Sequence, residues 1–461
     1  MNIQDLENKL VAVLGYGQEG QAVSKYLLKH GIKPVLFDQK PWGEWPKEKQ
    51  DEIKKLEVNF TFGPEAFKKL AGFEVAFRSP GIPLSHPDLL LWPDLIITSQ
   101  TKFFFENCHC KIIGVTGTKG KGTTAALISE ILKSQRQMSN VKCQTYLTGN
   151  IGKEQPLDIL DDLKKDDWVV YELSSFQLQD LKQSPHIGVV LMITQEHLDY
   201  HKNTEEYREA KESIVKFQTK GDFAVINADF PESMAIGRLG ESAKLYFSRQ
   251  QKVMPGCFVA NDKILYIGPD GKTQDIVKIN ELLLKGSHNL ENACAAVVAT
   301  HCAGCSDNAI RQILRNFKGL EHRLELVAEK NGIKFYNDSF STTPETAIAA
   351  IRSFNEPLIV ILGGSSKHSD FTELGKTIRD SKNIKALILV GLEAARIKSA
   401  VNKPEIAILE GAKNMPEIFE QIKSTAKKGD VALLSPACAS FDMFKNYQDR
   451  GEQFKNFAKN F

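Results

Sequence analysis

Gly114-Val115-Thr116-Gly117-Thr118-Lys119-Gly120-Lys121-Gly122-Thr123-Thr124 decides how this chain is read. The apolar run Lys111-Ile112-Ile113-Gly114-Val115 leads into it, and a helical stretch from Thr124 to Leu132 follows. Strand, glycine-rich turn, lysine, hydroxyl and helix, in that order, make a cradle for nucleotide phosphates. Glycines let backbone N–H groups approach phosphate oxygens, the helix N-terminus adds partial positive charge, lysine neutralises the terminal phosphates, and a hydroxyl can hold magnesium. The spacing departs from the strict G-x-x-x-x-G-K-[ST] pattern. Here the glycines step through 114, 117 and 120, and Gly122 stands between Lys121 and Thr123. Thr123 is therefore the candidate magnesium hydroxyl, in place of Gly122, which has no side chain.

Size and composition bound what surrounds the cradle. At 461 residues the chain suits three domains, at about 150 residues each. Apolar content of 42% and charged content of 25% are those of a soluble globular protein. A net charge of +2 argues against a nucleic-acid or membrane footprint. No apolar stretch approaches the ~18 residues that span a bilayer. Met1-Asn2-Ile3-Gln4-Asp5-Leu6-Glu7 has neither a basic start nor a signal-like apolar core. A cytoplasmic monomer that works on small molecules, without membrane insertion, is expected. The cysteines of Cys108-His109-Cys110 and Cys302-Ala303-Gly304-Cys305 read as reduced thiols, since one isolated CxxC without a second pair does not make a zinc site.

Three alternating α/β segments follow from the pattern of apolar runs. The first, residues 1–108, opens with a strand to Leu14, then Gly15-Tyr16-Gly17-Gln18-Glu19-Gly20, a helix to about His30, and a strand ending at Asp38. This is the dinucleotide glycine spacing, equally compatible with NAD and with another nucleotide's diphosphate. Arg78-Ser79-Pro80-Gly81 is another turn at a strand's C-terminal end, where open α/β sheets bind ligands. The second segment, 109–318, holds the cradle. Trp168-Val169-Val170-Tyr171 ends at Glu172, a carboxylate placed for magnesium. The run through Ile193 ends in Thr194-Gln195-Glu196-His197-Leu198-Asp199, and the short strands expected over 245–285 suggest a side sheet. The third segment, 319–461, alternates again, its strands ending at Gly363, Gly391 and Ser435. The predicted fold is α/β in three domains: an N-terminal Rossmann-like domain, a central P-loop-type ATPase with a mainly parallel sheet, and a C-terminal doubly wound Rossmann-like domain.

The ordered set narrows the reading. The cradle is followed by Glu172-Leu173-Ser174-Ser175-Phe176-Gln177, Glu196-His197-Leu198-Asp199, Gly286-Ser287-His288-Asn289-Leu290-Glu291-Asn292, His322-Arg323 and Leu434-Ser435-Pro436-Ala437-Cys438-Ala439-Ser440-Phe441-Asp442. Together with the glycine-bearing first segment, these resemble the Mur ligases, the ATP-dependent amide-forming enzymes of peptidoglycan synthesis, over nearly the whole chain. Within that family they look like the members that join glutamate to UDP-N-acetylmuramoyl-L-alanine through an acyl phosphate, releasing ADP and phosphate.

The resemblance implies a division of labour. Gly15, Gly17, Gly20, Asp38, Gln39, Ser79, Pro80, Gly81 and Asn150 would bind the UDP substrate. Gly114, Gly117, Thr118, Lys119, Gly120, Lys121, Gly122, Thr123, Thr124, Asn289, Asn292, Arg323 and Asp338 would bind ATP. Two magnesium ions would be held by Thr123, Glu172, His197 and Lys211, the last as a carbamate; the residues alone read Lys211 as a solvated helical lysine. Thr342, Lys367, Ser440, Phe441 and Tyr447 would hold glutamate. The best-known members carry lysine two residues after the position of Asp338 and phenylalanine where this chain has Tyr447; here the first position is Phe340. Some relatives with an Asp-Ser-x-Ser-Thr-Thr-Pro run add L-glutamate, so D-glutamate is the first expectation and L-glutamate the alternative. Other readings are a folylpolyglutamate synthase, against which residues 1–108 argue, an NAD-dependent oxidoreductase resting on the first glycine loop, and a non-catalytic nucleotide-binding scaffold.

Overall fold

The computed structural model describes residues 1–139, 142–152, 154–194, 203–365, 369–403 and 405–461, with the side chain of residue 204 left aside. Its strands form three sheets. Residues 1–277 with 291–313 make one compact unit, and 278–290 with 314–461 make another.

The N-terminal sheet is built from β1 (Val11–Leu14), β2 (Val35–Asp38), β3 (Phe60–Phe62), β4 (Val75–Arg78) and β5 (Ile96–Thr98). Its order is β3-β2-β1-β4-β5 with every pairing parallel. The central strands β1 and β4 are buried along their whole length, as parallel strands covered on both faces must be. Strand order reverses between β1 and β4, so their C-terminal ends open a crevice; Gly15 and Ser79 sit there.

The next sheet contains β6 (Lys111–Thr116), β7 (Thr145–Gly149), β8 (Trp168–Glu172), β9 (Ile187–Val190), β10 (Phe223–Asn227), β11 (Ala243–Ser248), β12 (Gly256–Ala260), β13 (Lys263–Ile267) and β14 (Thr273–Lys278). The order is β14-β13-β12-β11-β10-β9-β6-β8-β7, parallel from β7 through β12 and antiparallel between β12 and β13. The expected side sheet over 245–285 is therefore a correction. β11 pairs in parallel along all of β10, so the later strands extend the main sheet. Glycine and aspartate turns mark where that extension folds back, and they carry no information about which sheet the strands join.

The C-terminal sheet has β15 (Glu325–Lys330), β16 (Ile333–Asn337), β17 (Leu358–Gly363), β18 (Ile384–Val390), β19 (Ala407–Leu409) and β20 (Val431–Leu434). Its order is β15-β16-β20-β17-β18-β19, parallel except for the β15–β16 hairpin. Two separate apolar clusters cover its two faces, one around Leu358, Leu362 and Leu433, the other around Phe335, Ile361 and Phe454. The first two sheets instead share one core: from the helix Gln100–Asn107, Phe104 and Phe105 pack with Tyr171 of β8, and Phe103 packs with Phe77 of β4. Among the described residues no helix is long and apolar enough to cross a membrane.

Candidate functional site

The cradle lies at the C-terminal end of β6, and the following helix starts at Lys121 and runs to Ser139. That start is three residues earlier than the apolar pattern suggested, so Lys121 and Thr123 both lie in the first helical turn, where unsatisfied N–H groups concentrate. Gly117 and Gly120 have φ of +152° and +87°. A Cβ at Gly117 would lie 2.7 Å from Leu191 Cβ, and one at Gly120 would lie 2.3 Å from Asn292 Oδ1. Both positions need glycine for conformation and for room.

Side chains around the turn fix its shape. Lys121 Nζ donates to the carbonyls of Gly117 (3.0 Å) and Thr118 (3.1 Å), which folds the cation back over the loop. Thr118 Oγ1 donates to Thr194 O and accepts from Thr194 N, both at 3.0 Å. With its proton committed to that carbonyl, Thr118 Oγ1 accepts from Tyr207 OH, 3.2 Å away. Thr124 Oγ1 donates to Asn292 Oδ1 at 3.3 Å, which brings the helix Ser287–Cys302 to the cradle. Asn289, three residues earlier, donates from its side chain to Lys285 O at 2.7 Å.

Glu172, the last residue of β8, is 6% exposed. β6 and β8 are in register, with Val115 opposite Glu172, so the carboxylate ends beside the cradle. Gly149 pairs with Glu172 from the other side, and a Cβ there would lie 2.4 Å from Glu172 O. Asn150 follows in an exposed turn.

Lys211 corrects the residue-only reading. It is 1% exposed, on the helix Thr204–Glu212. Its Nζ donates to Thr116 Oγ1 (3.3 Å) and Gly117 O (3.4 Å) and stands 4.7 Å from the centre of the Tyr207 ring. A charged residue at helical spacing reads as solvated because periodicity sees only its own helix; what buries Lys211 is a strand nearly a hundred residues away in sequence. Tyr207 was not singled out from sequence, although its place four residues before Lys211 puts the two on one helical face. Gln195 to Asp199, with His197, lie outside the described residues, as does Lys367.

In the N-terminal crevice Gly15 has φ of +83°, and a Cβ on Gly20 would lie 2.0 Å from Gly15 O. This is the third glycine's packing role in the dinucleotide turn. Ser79 Oγ donates to Gly15 O at 3.0 Å, joining the two turns across the switch point. Both oxygens of Asp38 accept backbone N–H groups, from Tyr16 and Lys40, each at 2.8 Å. Gln39 lies beside it, with His86 Nε2 3.3 Å from its Oε1. Pro80 is half-buried and Gly81 exposed.

Beneath this crevice lies a polar cluster that sequence reasoning missed. Gln177 Nε2 donates to Glu19 Oε1 at 2.8 Å, and the fully enclosed Arg78 side chain pairs with Asp180 at 3.2 Å. Burial pushes the Glu19 carboxyl up to about 7, opposed by the Gln177 bond and by Arg78. No local pattern marks these four residues, because they come from three separate parts of the chain: the helix Gln18–Lys29, β4, and the helix Ser175–Leu178 with the turn after it.

In the C-terminal unit Asp338 follows β16. Its Oδ1 accepts from Leu324 N (3.1 Å) and its Oδ2 from Ser435 Oγ (2.8 Å); burial raises its carboxyl to about 7, against those bonds and the Arg323 charge. The buried Arg450 ties this turn to the one after β20. Its guanidinium donates to Ser339 Oγ and O, both at 2.9 Å, and to Cys438 O at 3.2 Å. Ser440 is buried, Phe441 is 73% exposed, and Thr342 and Tyr447 are half-buried. All eight cysteines are free thiols; burial pushes Cys302 and Cys305 each up to about 12, which suits packing and not metal binding.

Three family models match along the chain: the Mur ligase MurD-like N-terminal domain over residues 9–92, the Mur ligase middle domain over 115–300, and the Mur ligase glutamate ligase domain over 322–438. A relative from Thermoanaerobacter sp. (strain X514), a UDP-N-acetylmuramoylalanine–D-glutamate ligase, is 36% identical over 98% of each chain. Among solved structures, the UDP-N-acetylmuramate–alanine ligase of Thermotoga maritima is similar with a TM-score of 0.61 at 16% identity, covering 98% of this chain and 100% of that one. The MurF ligase of Thermotoga maritima in complex with ADP gives 0.56 at 18% identity, covering 100% of this chain and 96% of that one. At such identities the structural likeness speaks for the fold.

Proposed function

The chain belongs to the Mur ligase family, ATP-dependent enzymes that form amide bonds, and from that premise we propose that it joins glutamate to UDP-N-acetylmuramoyl-L-alanine in peptidoglycan precursor synthesis. The observation that carries the reading is the grouping at the end of β6. Lys121 is folded over the turn, Glu172 ends the neighbouring strand, and Lys211 is buried against the turn itself. An NAD-dependent reading would leave all three without a task.

In this proposal the alanyl carboxylate attacks the γ-phosphorus of ATP, giving an acyl phosphate and ADP. The glutamate amine then attacks the acyl carbon, phosphate leaves, and the nitrogen gives up a proton. Both steps gather negative charge, so catalysis is mainly positioning and charge neutralisation. Lys121 exchanges its loop carbonyls for the β- and γ-phosphates. The hydroxyl of Thr123 and the carboxylate of Glu172 are hard oxygen donors of the kind magnesium takes, and both are enclosed, which fits a metal held against phosphate. Magnesium, when bound, neutralises phosphate charge; His197 and a carbamate on Lys211 complete the proposed donor set. The carbamate's N–H keeps a donor for Gly117 O, while its carboxylate offers the anionic oxygens.

Residues 1–108 are assigned to the UDP substrate, through the Gly15 to Gly20 turn, Asp38, Gln39 and Ser79 to Gly81, with Asn150 added from the central segment. Residues 109–318 are assigned to ATP and 319–461 to glutamate, through Thr342, Lys367, Ser440, Phe441 and Tyr447. The nucleotide contacts are completed by Asn289, Asn292, Arg323 and Asp338. The protein is proposed to act in the cytoplasm as a monomer. D-glutamate is the amino acid named for the curated relative, whereas Phe340 favours testing L-glutamate beside it. ADP release is expected only when the UDP-sugar and one enantiomer of glutamate are both present. Absence of turnover with either enantiomer would overturn the proposal.

A further inference from the structure

Arg323 is held more firmly than its half-exposed position suggests. Its neighbours His322 and Leu324 both have left-handed backbones, with φ of +63° and +46°. Such residues persist where the surroundings over-determine them, and they gather at functional sites. The surroundings here are explicit. Phe340 N donates to His322 O at 3.0 Å, Leu324 N donates to Asp338 Oδ1 at 3.1 Å, and His322 N donates to Glu325 Oε2 at 2.9 Å. The backbone on both sides of Arg323 is thereby latched to the turn after β16.

The side chain is held as well. The Arg323 guanidinium carbon lies 4.0 Å from the centre of the Phe340 ring, well inside cation–π range. Phe340 is in turn braced: Tyr447 meets it edge-on at 5.0 Å with planes at 89°, and His322 meets Tyr447 at 6.0 Å and 85°. His322 is itself fixed by Asn337 Nδ2, which donates to its Nδ1 at 2.9 Å. Although 40% exposed, Phe340 is no loose surface ring. A guanidinium held over a ring has its planar fork of N–H donors fixed in position before an anion arrives.

We propose that Phe340 is a positioning residue, whose ring holds Arg323 in place to receive an anionic oxygen group of a substrate. The proposal rests on the ligase reading above. Two substrate groups share the required chemistry: a phosphate of the nucleotide and a carboxylate of the amino acid. A flexible cation would lose rotamer freedom on meeting either group; the ring, the latched backbone and the bracing tyrosine have already removed that freedom.

The test uses the full chain and steady-state ADP release, with KM measured separately for ATP and for glutamate. Phe340→Leu removes the ring and keeps apolar bulk, Phe340→Trp keeps a π face, and Arg323→Ala removes the cation. Phe340→Leu is expected to raise one of the two KM values by about fivefold, the size of a partly exposed cation–π contact, with kcat changed less and the melting temperature nearly unmoved. The KM that rises identifies the anion. Phe340→Trp is expected to restore it, and Phe340→Leu added to Arg323→Ala should raise KM no further. Equal effects of Leu and Trp, or additive effects in the double variant, would overturn the proposal and leave the ligase reading intact. If the unaltered chain releases no ADP with either glutamate, the ligase reading fails; the same variants are then compared by ADP affinity, where an unchanged Phe340→Leu overturns the positioning role too.

Discussion

The glycine turns after β1 and after β6 start from the same local logic and end as different devices. Each follows a buried parallel strand, carries at least one glycine at positive φ and opens a helix. The first turn has no cation of its own, and its neighbouring acid, Asp38, accepts Tyr16 N and Lys40 N. Its glycines serve shape: Gly20 packs on Gly15 O, and Ser79 ties the turn to β4. The second turn carries Lys121 folded over two of its own carbonyls, with the amine of Lys211 buried beneath. In the proposed reading, glycine spacing specifies how close a phosphate can come, and the charged groups brought in from elsewhere specify how much phosphate charge can be carried.

The largest effect should come from removing the charge that separates the two turns. Lys121→Met is expected to lower phosphate release by about a thousandfold, the scale of losing a preorganised charge contact, with an unchanged circular dichroism spectrum. Retention of a tenth of the activity would show that Lys121 is a structural hook and the two turns are closer in kind.

Next come the glycines themselves. At Gly20 a methyl group would meet backbone that cannot yield, so Gly20→Ala should cost about 2–4 kcal/mol in denaturant unfolding. At Gly120 the methyl would meet a side-chain oxygen of Asn292, which can rotate away. Gly120→Ala should cost stability about 1–2 kcal/mol, from the φ of +87°, and reduce activity through the displaced Asn292. The reverse ranking of stabilities would mean that the cradle, and not the first turn, is the rigid element.

Glu19 sharpens the comparison through pH. Burial raises its carboxyl from 4.5 to about 7, so the folded state binds its proton more tightly than the unfolded chain does. The stability from that proton is fully present below pH 4.5 and is lost as pH climbs through about 7. Glu19→Gln cannot ionise, so its melting temperature should gain on the unaltered chain as pH rises from 4.5 to about 7 and hold that gain above it. Parallel curves across that window would remove Glu19 as the source. The smallest effect belongs to Gly17, whose φ is −72° and whose added Cβ would meet nothing within 4 Å. Gly17→Ala should change stability by no more than about 0.5 kcal/mol. A measured rise in KM for the UDP-sugar alone would then show that Gly17 is kept for substrate approach.

How much could be read beforehand differs by residue for identifiable reasons. The strand ending in Glu172 was legible because a buried run followed by one carboxylate is a local signal. Strands β11 to β14 were legible as strands and misassigned as a sheet, since pairing partners leave no mark in a chain's own periodicity. Arg450, which clamps the turn holding Asp338, looks like an ordinary helical arginine until the loop after β20 closes on it. The Glu19–Gln177 and Arg78–Asp180 pairs show the same limit, because their partners meet only when the first two sheets pack into one core.

By itself the sequence determined the order of strand, glycine turn and helix, and with it a glycine turn at each of two strand ends. Backbone conformation there depends on residues adjacent in the chain, and only glycine reaches those φ values without strain. The tertiary structure decided which charges serve those turns. It buried Lys211 against Thr116 and Gly117, engaged Asp38 with the backbone N–H of Tyr16, and set Arg323 over the Phe340 ring. The physical reason is range: φ is set within a turn, whereas the burial and orientation of a long charged side chain are set by elements that meet only after folding.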